Sequence, residues 1–210
     1  PISPIARLTG EYEAIVVPAA SPIQDMKGLI EALKADPGAV SWAGGSAGGT
    51  DHIAVGLIAK AAGVDPTKIN YIAYSGGGEA LAAILGNQVT AGVSSVGEFD
   101  AQVKAGTLRL LAVSAPERIA GVEAPTLKES GLDVELQNWR MVAAAPGLSD
   151  EQKAKVSADI EKMVKSENWQ KQLADKGWSD TYLSGADFDA QLAKDEAATA
   201  TVLKDIGLVK

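Results

Sequence analysis

Residues 41–52 have the sequence Ser-Trp-Ala-Gly-Gly-Ser-Ala-Gly-Gly-Thr-Asp-His, which predicts a strand, a glycine loop and the start of a helix in direct succession. A second copy of this design follows in residues 70–80, Asn-Tyr-Ile-Ala-Tyr-Ser-Gly-Gly-Gly-Glu-Ala. Glycine leaves backbone N–H groups accessible to a ligand, and a helix N-terminus adds unpaired donors and about half a positive charge. The two loops together predict a binding site for a small anion, with a carboxylate as our first choice.

The two loops belong to an alternation of strands and helices between residues 15 and 115. Helical spacing of apolar residues predicts a helix after each strand, and the first helix is predicted to begin at Ser21-Pro22, with serine as N-cap. Strands are predicted at residues 13–18, 40–43, 69–73, 89–93 and 108–113. This order is typical of an α/β domain with a mostly parallel sheet. In such sheets ligands bind beyond the carboxyl ends of the strands, where both glycine loops fall.

The remainder of the chain has a different pattern. Residues 116–135 are loop-like, and residues 136–145 predict a strand that crosses toward a new region. Ser149 begins a Ser-x-x-Gln capping box and a long helix, which a short helix and a final helix over residues 186–206 follow. Residues 146–210 therefore predict three helices with at most one strand, which is too little sheet to cover their apolar faces.

Composition excludes several classes of function. The 210-residue chain has a formal net charge of −8, which argues against nucleic-acid binding because phosphate recognition needs clustered lysine and arginine. It has no cysteine, which excludes disulfides, thiol catalysis and thiolate metal sites but does not fix the compartment. No apolar run approaches the roughly 20 residues of a membrane span. We predict neither a metal nor a cofactor.

The glycine loops do not match the common nucleotide-binding motifs. Neither loop is followed by the Lys-Ser or Lys-Thr of a phosphate-binding loop, and neither keeps the Gly-x-Gly-x-x-Gly order of a dinucleotide fingerprint. His52 is the only histidine, so a Ser-His-acid catalytic triad would have to include it together with a nearby serine and an acid. Plain tight turns, and an α/β enzyme that uses the loops to bind a phosphate-bearing cofactor, remain as alternatives to the carboxylate site.

Polar side chains near the loops are further candidates for ligand contacts. Ser94 and Ser95 follow another predicted strand and could donate their hydroxyl groups to the same anion. Asp51 could be a helix cap or a partner for a ligand hydroxyl, and His52 is best explained as a polar residue of the first helical turn. Arg140 either forms a surface or interdomain ion pair or binds an additional ligand carboxylate.

The combination of these segments resembles one known family, the solute-binding receptors of tripartite tricarboxylate transporters, also called Bug-type receptors. The resemblance covers essentially the whole chain, and no single segment is specific alone. Besides Ser21-Pro22, the matching segments are Asp36-Pro37-Gly38, residues 45–52 and 74–80, Gly86-Asn87-Gln88-Val89, residues 104–109 and 111–114, Ala124-Pro125-Thr126-Leu127 and Asn138-Trp139-Arg140. The Asn-Trp-Arg segment is most similar to the branch associated with tricarboxylates such as citrate.

The resemblance implies a two-lobed, periplasmic-binding-protein-like (Venus flytrap) α/β fold. In the family, backbone amides of loops from both lobes bind the ligand carboxylate, and a Pro-Gly-Gly-type loop belongs to an N-terminal segment that this sequence lacks. The chain is thus expected to contain one complete lobe and the C-terminal half of another. The expected divisions are residues 1–14, a remnant of lobe 1 and the hinge; 15–135, the ligand-binding lobe; 136–145, the crossing strand; and 146–210, the helical part of lobe 1.

The function that the resemblance implies is capture of a small organic acid in the periplasm, either a tricarboxylate such as citrate or a dicarboxylate, for membrane permease subunits. No catalysis is expected, and a ligand-sensing signalling subunit remains an alternative to a transport receptor. The backbone amides of residues 44–50 and 74–78 are the expected primary contacts. The predicted ligand-binding residues are Gly45, Ser46, Ala47, Gly48, Gly49, Thr50, Tyr74, Ser75, Gly76, Gly77, Ser94, Ser95 and Arg140.

Overall fold

The computed structural model of the protein describes residues 2–209, which form two compact units. The larger unit contains Tyr12–Gln137 and Thr199–Lys210, and the smaller contains Pro1–Glu11 and Asn138–Ala198. Strand β1 (Ser3–Pro18) and helix α7 (Gly185–Asp205) contribute residues to both units. Pro1 and Lys210, the ends of the predicted divisions 1–14 and 146–210, lie outside the described residues.

The larger unit consists of a five-stranded sheet and four main helices. Following β1, its elements in chain order are α1 (Met26–Ala35), β2 (Ser41–Gly44), α2 (Thr50–Ala61), a 3₁₀ turn (Pro66–Lys68), β3 (Asn70–Ala73), α3 (Gly77–Leu85), β4 (Ala91–Ser95), α4 (Val96–Lys104) and β5 (Leu108–Val113). Every strand predicted between residues 13 and 113 is present, which confirms the α/β class.

The sheet of the larger unit has the strand order β3-β2-β4-β1-β5. Strand β2 is parallel to both β3 and β4, whereas β1 is antiparallel to its two neighbours, β4 and β5. Strands β2 to β5 therefore all run in the same direction, as the mostly parallel prediction requires, and their carboxyl ends lie at one edge. The sequence did not reveal the opposite direction of β1, because an apolar strand has the same pattern in either direction.

Helices cover both faces of this sheet, and the side chains of β1 alternate between them. Ile15 and Val17 pack in a core cluster with α1 and α2, where Trp42 is completely buried. Ala14 and Val16 pack in a second cluster with α3 and α4 on the other face. Helix α2 thus lies on the face opposite to α3 and α4.

Helix α1 begins later than predicted, so the Ser21-Pro22 start is wrong. The N-cap is Asp25, whose carboxylate accepts a hydrogen bond from the Gly28 N–H at 2.8 Å. The Arg109 guanidinium donates to the carbonyl groups of Ala19, Ser21 and Ile23 at 2.8 to 3.2 Å. Those carbonyls are consequently engaged outside any helix, and residues 19–25 form a turn and bends before the helix begins.

The smaller unit contains two strands paired with β1, and helices packed around them. Its elements are β6 (Gln137–Ala144), α5 (Asp150–Val164), α6 (Glu167–Lys176), β7 (Ser179–Ser184) and most of α7. Ile5 and Ala6 of β1 pack against Ile160 and Val164 of α5. The predicted capping box is present, since Ser149 and Gln152 exchange hydrogen bonds at 2.9 and 3.2 Å. Among the helices of residues 2–209, none has the length and apolarity that crossing a membrane requires.

Candidate functional site

Three helix N-termini of the larger unit lie at the carboxyl edge of its sheet. Strands β3, β2 and β4 are parallel neighbours and lead into α3, α2 and α4. The N-cap residues of these helices are Gly76, Gly49 and Ser95, and none of the three makes a side-chain capping bond, in contrast to those of α1, α5 and α6. Since α2 lies on one face and α3 and α4 on the other, the edge has the crevice at which α/β sheets bind ligands.

Side chains from α2 and β3 fix the conformation of the first glycine loop. The Asp51 carboxylate accepts the Gly45 N–H at 2.6 Å, and the His52 Nδ1 accepts the Gly48 N–H at 3.2 Å. The Tyr71 hydroxyl donates to the Gly45 carbonyl at 2.8 Å, and its ring stacks on His52 with centroids 4.1 Å apart. The loop is therefore shaped by the protein itself, which reduces the entropy cost of binding a ligand there.

Three other amides of this loop are available to a ligand. The Gly49 N–H donates to the Ser46 carbonyl at 2.9 Å, which closes a turn. Within residues 2–209, no acceptor is bonded to the N–H groups of Ser46, Ala47 and Thr50. Ser46 and Ala47 are also exposed to solvent. These three donors lie at the positive end of α2, where an anion is favoured.

The second glycine loop has a similar division between engaged and available amides. The Tyr74 N–H donates to a carbonyl of β2 at 2.9 Å, and the Ser75 N–H donates to the Glu79 carboxylate at 3.1 Å. For Gly76 and Gly77, the described part of the chain contains no acceptor bonded to the N–H. The predicted segment 74–78 thus presents its glycine amides, whereas the N–H groups of Tyr74 and Ser75 are already bonded.

The two serines at the end of β4 differ in their partners, although both are buried. The Ser94 hydroxyl donates to the Glu98 carboxylate at 3.2 Å. The Ser95 hydroxyl has no hydrogen-bond partner in the described chain. Glu98 also lies against Gly77, where an added Cβ would be 1.3 Å from the carboxylate oxygen. The second loop, β4 and α4 are thus in direct contact.

The remaining predicted residue, Arg140, belongs to the smaller unit, whereas the other predicted residues belong to the larger one. Its guanidinium forms an ion pair with Glu11 at 3.0 Å and donates to Asn138. Arg140 thus forms the ion pair that was one of its two predicted roles. A contact between Arg140 and a ligand stays a prediction.

An acidic cluster beneath the first loop was missed by the sequence prediction. Glu13 of β1 is completely buried, and Asp51 interacts with its carboxyl group and is itself nearly buried. Burial raises the pKa of Asp51 above its ordinary value, against the opposing effect of the Gly45 N–H. Burial also raises the pKa of Tyr71 and lowers that of His52, which keeps the imidazole neutral so that Nδ1 can accept the Gly48 N–H. The only signal in the sequence is a glutamate at the start of an otherwise apolar strand.

The loops are not the only concave feature of the larger unit. A cavity of about 320 Å³ is lined mainly by apolar side chains of α4, β5 and residues 121–123, among them Phe99 and Leu110. No residue of either glycine loop contributes to it. Among residues 2–209, no three histidine, aspartate or glutamate side chains are grouped so that they could hold a metal ion. The glycine loops therefore remain the candidate site on the basis of their donors.

Alanine substitutions in α3 are expected to separate a glycine that the structure needs from one that it does not. We expect Gly78→Ala to raise the free energy of unfolding by about 0.5–1 kcal/mol, because alanine favours helix and no atom lies within 4 Å of its added Cβ. Gly77→Ala should not give this gain, since its Cβ would meet Glu98 and Ser94. Urea denaturation of both variants measures the difference. A loss of stability confined to Gly78→Ala would contradict the geometry.

Comparison with known proteins identifies the family. The family described as "Tripartite tricarboxylate transporter family receptor" matches residues 1–208. A UPF0065 protein in the gbd 5′ region of Cupriavidus necator is 29% identical over 210 residues, which are 98% of this chain and 62% of that protein. The chain thus spans less than two thirds of the length of this relative.

Solved structures show the same fold. A TctC solute-binding protein from Polaromonas, solved without ligand, is 30% identical with a TM-score of 0.76, over 97% of this chain and 69% of that one. An R. palustris protein solved with adipate has a TM-score of 0.85 at 21% identity, over 98% of this chain and 69% of that one. The family match over nearly the whole sequence and the shared fold together show that this chain belongs to the tripartite tricarboxylate transporter receptor family, TctC.

Proposed function

We propose that the protein is a periplasmic receptor that captures a small organic acid and delivers it to the permease of a tripartite tricarboxylate transporter. The observation that carries the proposal is the meeting of three helix N-termini without side-chain caps at one sheet edge. Family membership supports it. In this proposal residues 15–135 are the ligand-binding lobe, residues 136–145 lead to the other lobe, and residues 1–14 and 146–210 belong to that lobe. The compact units differ from this division at residues 12–14 and 199–210, which group with the larger unit.

The primary contacts would be the available amides of Ser46, Ala47, Thr50, Gly76 and Gly77. A hydrogen bond to a charged group contributes about 1.5–3 kcal/mol. Two or three such bonds contribute about 3–9 kcal/mol together, and the upper end of this range corresponds to a micromolar dissociation constant. These local donors act against an overall charge of −8, which repels anions at longer range.

Side-chain hydroxyls would add to this amide site. Thr50, Ser75 and Ser95 are the proposed donors, and Ser94 would first have to leave the Glu98 carboxylate. Arg140 is proposed to bind a further carboxylate, in exchange for its ion pair with Glu11.

Binding without catalysis is favoured because Asp51 and His52, the two titratable side chains in the first turn of α2, are already bonded to the first glycine loop. Asp51 is bonded to the Gly45 amide, and His52 is bonded to the Gly48 amide and stacked on Tyr71. Both side chains thus support the loop. A general base, in contrast, would need to reach the ligand. This arrangement favours a receptor over the α/β enzyme that was considered as an alternative.

Titration calorimetry tests the proposal. The probes are adipate, a dicarboxylate found in a structure of the same fold, a four-carbon dicarboxylate and citrate, with ATP as the nucleotide. Saturable heat with at least one organic acid and none with ATP is expected. Saturable heat with ATP alone would overturn the proposal in favour of a phosphate-bearing cofactor. Heat with none of these probes would also contradict it.

A further inference from the structure

Helix α7 ends in a turn that belongs to the larger unit. The Leu208 N–H donates to the Leu203 carbonyl at 2.9 Å, and the Gly207 N–H donates to the Lys204 carbonyl at 3.0 Å. Gly207 has a φ angle of +76°, and a left-handed glycine with these two hydrogen bonds defines a Schellman motif. The motif turns the chain back at the end of α7 and brings Leu208 beside Leu203.

The C-terminal turn, residues 202–208, packs along helix α2. Ile206 is buried, and a Cβ added to Gly56 would overlap its Cγ2 atom, so Ile206 lies directly on the backbone of α2. One helical turn further on, the Lys60 ammonium forms an ion pair with the Asp205 carboxylate at 2.5 Å. Gly56 and Lys60 are four residues apart and share a face of α2. The C-terminal turn therefore covers this face of α2.

The same turn reaches the first glycine loop at Gly48. Leu208 Cδ1 and Leu203 Cδ2 lie 3.4 and 3.6 Å from the position that a Cβ on Gly48 would take. Apart from the chain neighbours of Gly48, the described residues place no other atom within 4 Å of that position. The Gly48 N–H donates to His52 Nδ1 at 3.2 Å. Gly48 is thus held by one hydrogen bond and by two leucine side chains.

Gly48 joins the available amides of the first glycine loop. The N–H groups of Ser46 and Ala47 precede it, and that of Thr50 follows it. Its φ angle of +76° lies in the left-handed region, which glycine adopts readily but not exclusively. A different conformation at Gly48 would change the direction of the amides on one side relative to those on the other. Contacts that hold Gly48 therefore also hold the arrangement of the donors.

We propose that Leu203 and Leu208 are positioning residues that hold Gly48 in its left-handed conformation and so preorganise the amides of the first glycine loop for an anion. The effect on ligand binding rests on the proposed function, whereas the effect on Gly48 does not. Without the leucine contacts, the loop occupies the competent conformation for a smaller fraction of the time. The apparent affinity for the ligand falls in proportion to this fraction.

The experiment compares Leu208→Ala with Val209→Ala in the full chain. The two residues are adjacent and are 45% and 44% exposed, but only Leu208 approaches Gly48. Hydrogen exchange of the Gly48 amide, measured by NMR without ligand, should be about tenfold faster in Leu208→Ala and unchanged in Val209→Ala. Leu208→Met keeps an apolar side chain of similar volume and should restore slow exchange. Gly207→Ala strains the turn without altering either leucine and should also accelerate exchange.

Titration calorimetry with adipate measures the effect on binding. Affinity should fall about threefold to tenfold in Leu208→Ala and stay unchanged in Val209→Ala. Urea denaturation should give similar free energies of unfolding for the two variants, because both side chains are nearly half exposed. This comparison separates a positioning role from a general loss of stability.

The outcomes for the positioning role and for the proposed function are distinguishable. Equal exchange rates of the Gly48 amide in Leu208→Ala and Val209→Ala would overturn the proposal, whether or not an organic acid binds. Faster exchange with unchanged adipate affinity would overturn the effect on binding. Faster exchange confined to Leu208→Ala, in a protein that binds no organic acid, would support the positioning of Gly48 and contradict the proposed function.

Discussion

Replacing Thr50 with proline is expected to weaken binding of an organic acid by roughly 10–100-fold without unfolding the protein. The substitution removes the Thr50 N–H, one of the three available donors of the first glycine loop. A hydrogen bond from a backbone amide to a carboxylate contributes about 1.5–3 kcal/mol, which sets the expected loss. Titration calorimetry with adipate or citrate, whichever gives the stronger heat, measures it.

Proline should be tolerated at this position for structural reasons. Thr50 is the first residue of α2, where the backbone N–H has no partner within the helix and the φ angle suits proline. The preceding Gly49 has φ −73° and ψ 177°, the extended conformation that a residue before proline prefers. The unfolding midpoint should therefore stay within a few degrees of the unsubstituted protein.

Thr50→Ala is the matched control, because it removes the hydroxyl and keeps the amide. Its affinity for the organic acid should lie between those of the unsubstituted protein and Thr50→Pro. The difference in affinity between the two variants then measures the contribution of the Thr50 N–H. Equal affinities of Thr50→Ala and Thr50→Pro would show that the α2 amide does not contact the ligand. If both variants bind as tightly as the unsubstituted protein, neither the N–H nor the hydroxyl of Thr50 contributes to ligand binding.

The fold could be predicted to this extent because its signals are local. The strand-loop-helix order of residues 41–52 and 70–80 reappears as β2 with α2 and β3 with α3. The capping box at Ser149 depends only on residues within one helical turn, and it too is present. Apolar spacing and glycine position suffice for such features, since neighbouring residues along the chain determine them.

What the sequence could not reveal depends on contacts between distant segments. Glu13 and Asp51 meet because β1 runs antiparallel beside β4. The apolar pattern of a sequence predicts neither the direction nor the register of a strand. The late start of α1 has a similar origin, because Arg109 of β5 bonds the preceding carbonyls. Which amides of the candidate site are available was equally hidden, since side chains such as Asp51 engage some of them and leave others.

The largest loss of stability is expected from Trp42→Ala, at about 3–5 kcal/mol. Trp42 lies on β2, where it is paired with Tyr71 on β3 and with Ala91 on β4. It is completely buried in the core cluster between the sheet and helices α1 and α2. Truncation removes a large apolar surface from the strand that leads into the first glycine loop, and it leaves a cavity that rigid strands on both sides cannot fill.

Two comparisons make this prediction specific. Trp42→Phe should cost less than half as much, because phenylalanine keeps most of the apolar contact and removes an indole N–H that has no hydrogen-bond partner among the described residues. Trp178→Ala in the smaller unit should cost about 1 kcal/mol or less, since that ring is half-buried and contacts the Lys176 ammonium at 5.1 Å. Urea denaturation followed by circular dichroism measures all three variants without depending on tryptophan fluorescence. A Trp42→Ala protein as stable as Trp178→Ala would mean that burial of Trp42 does not stabilise β2, the strand that leads into the first glycine loop.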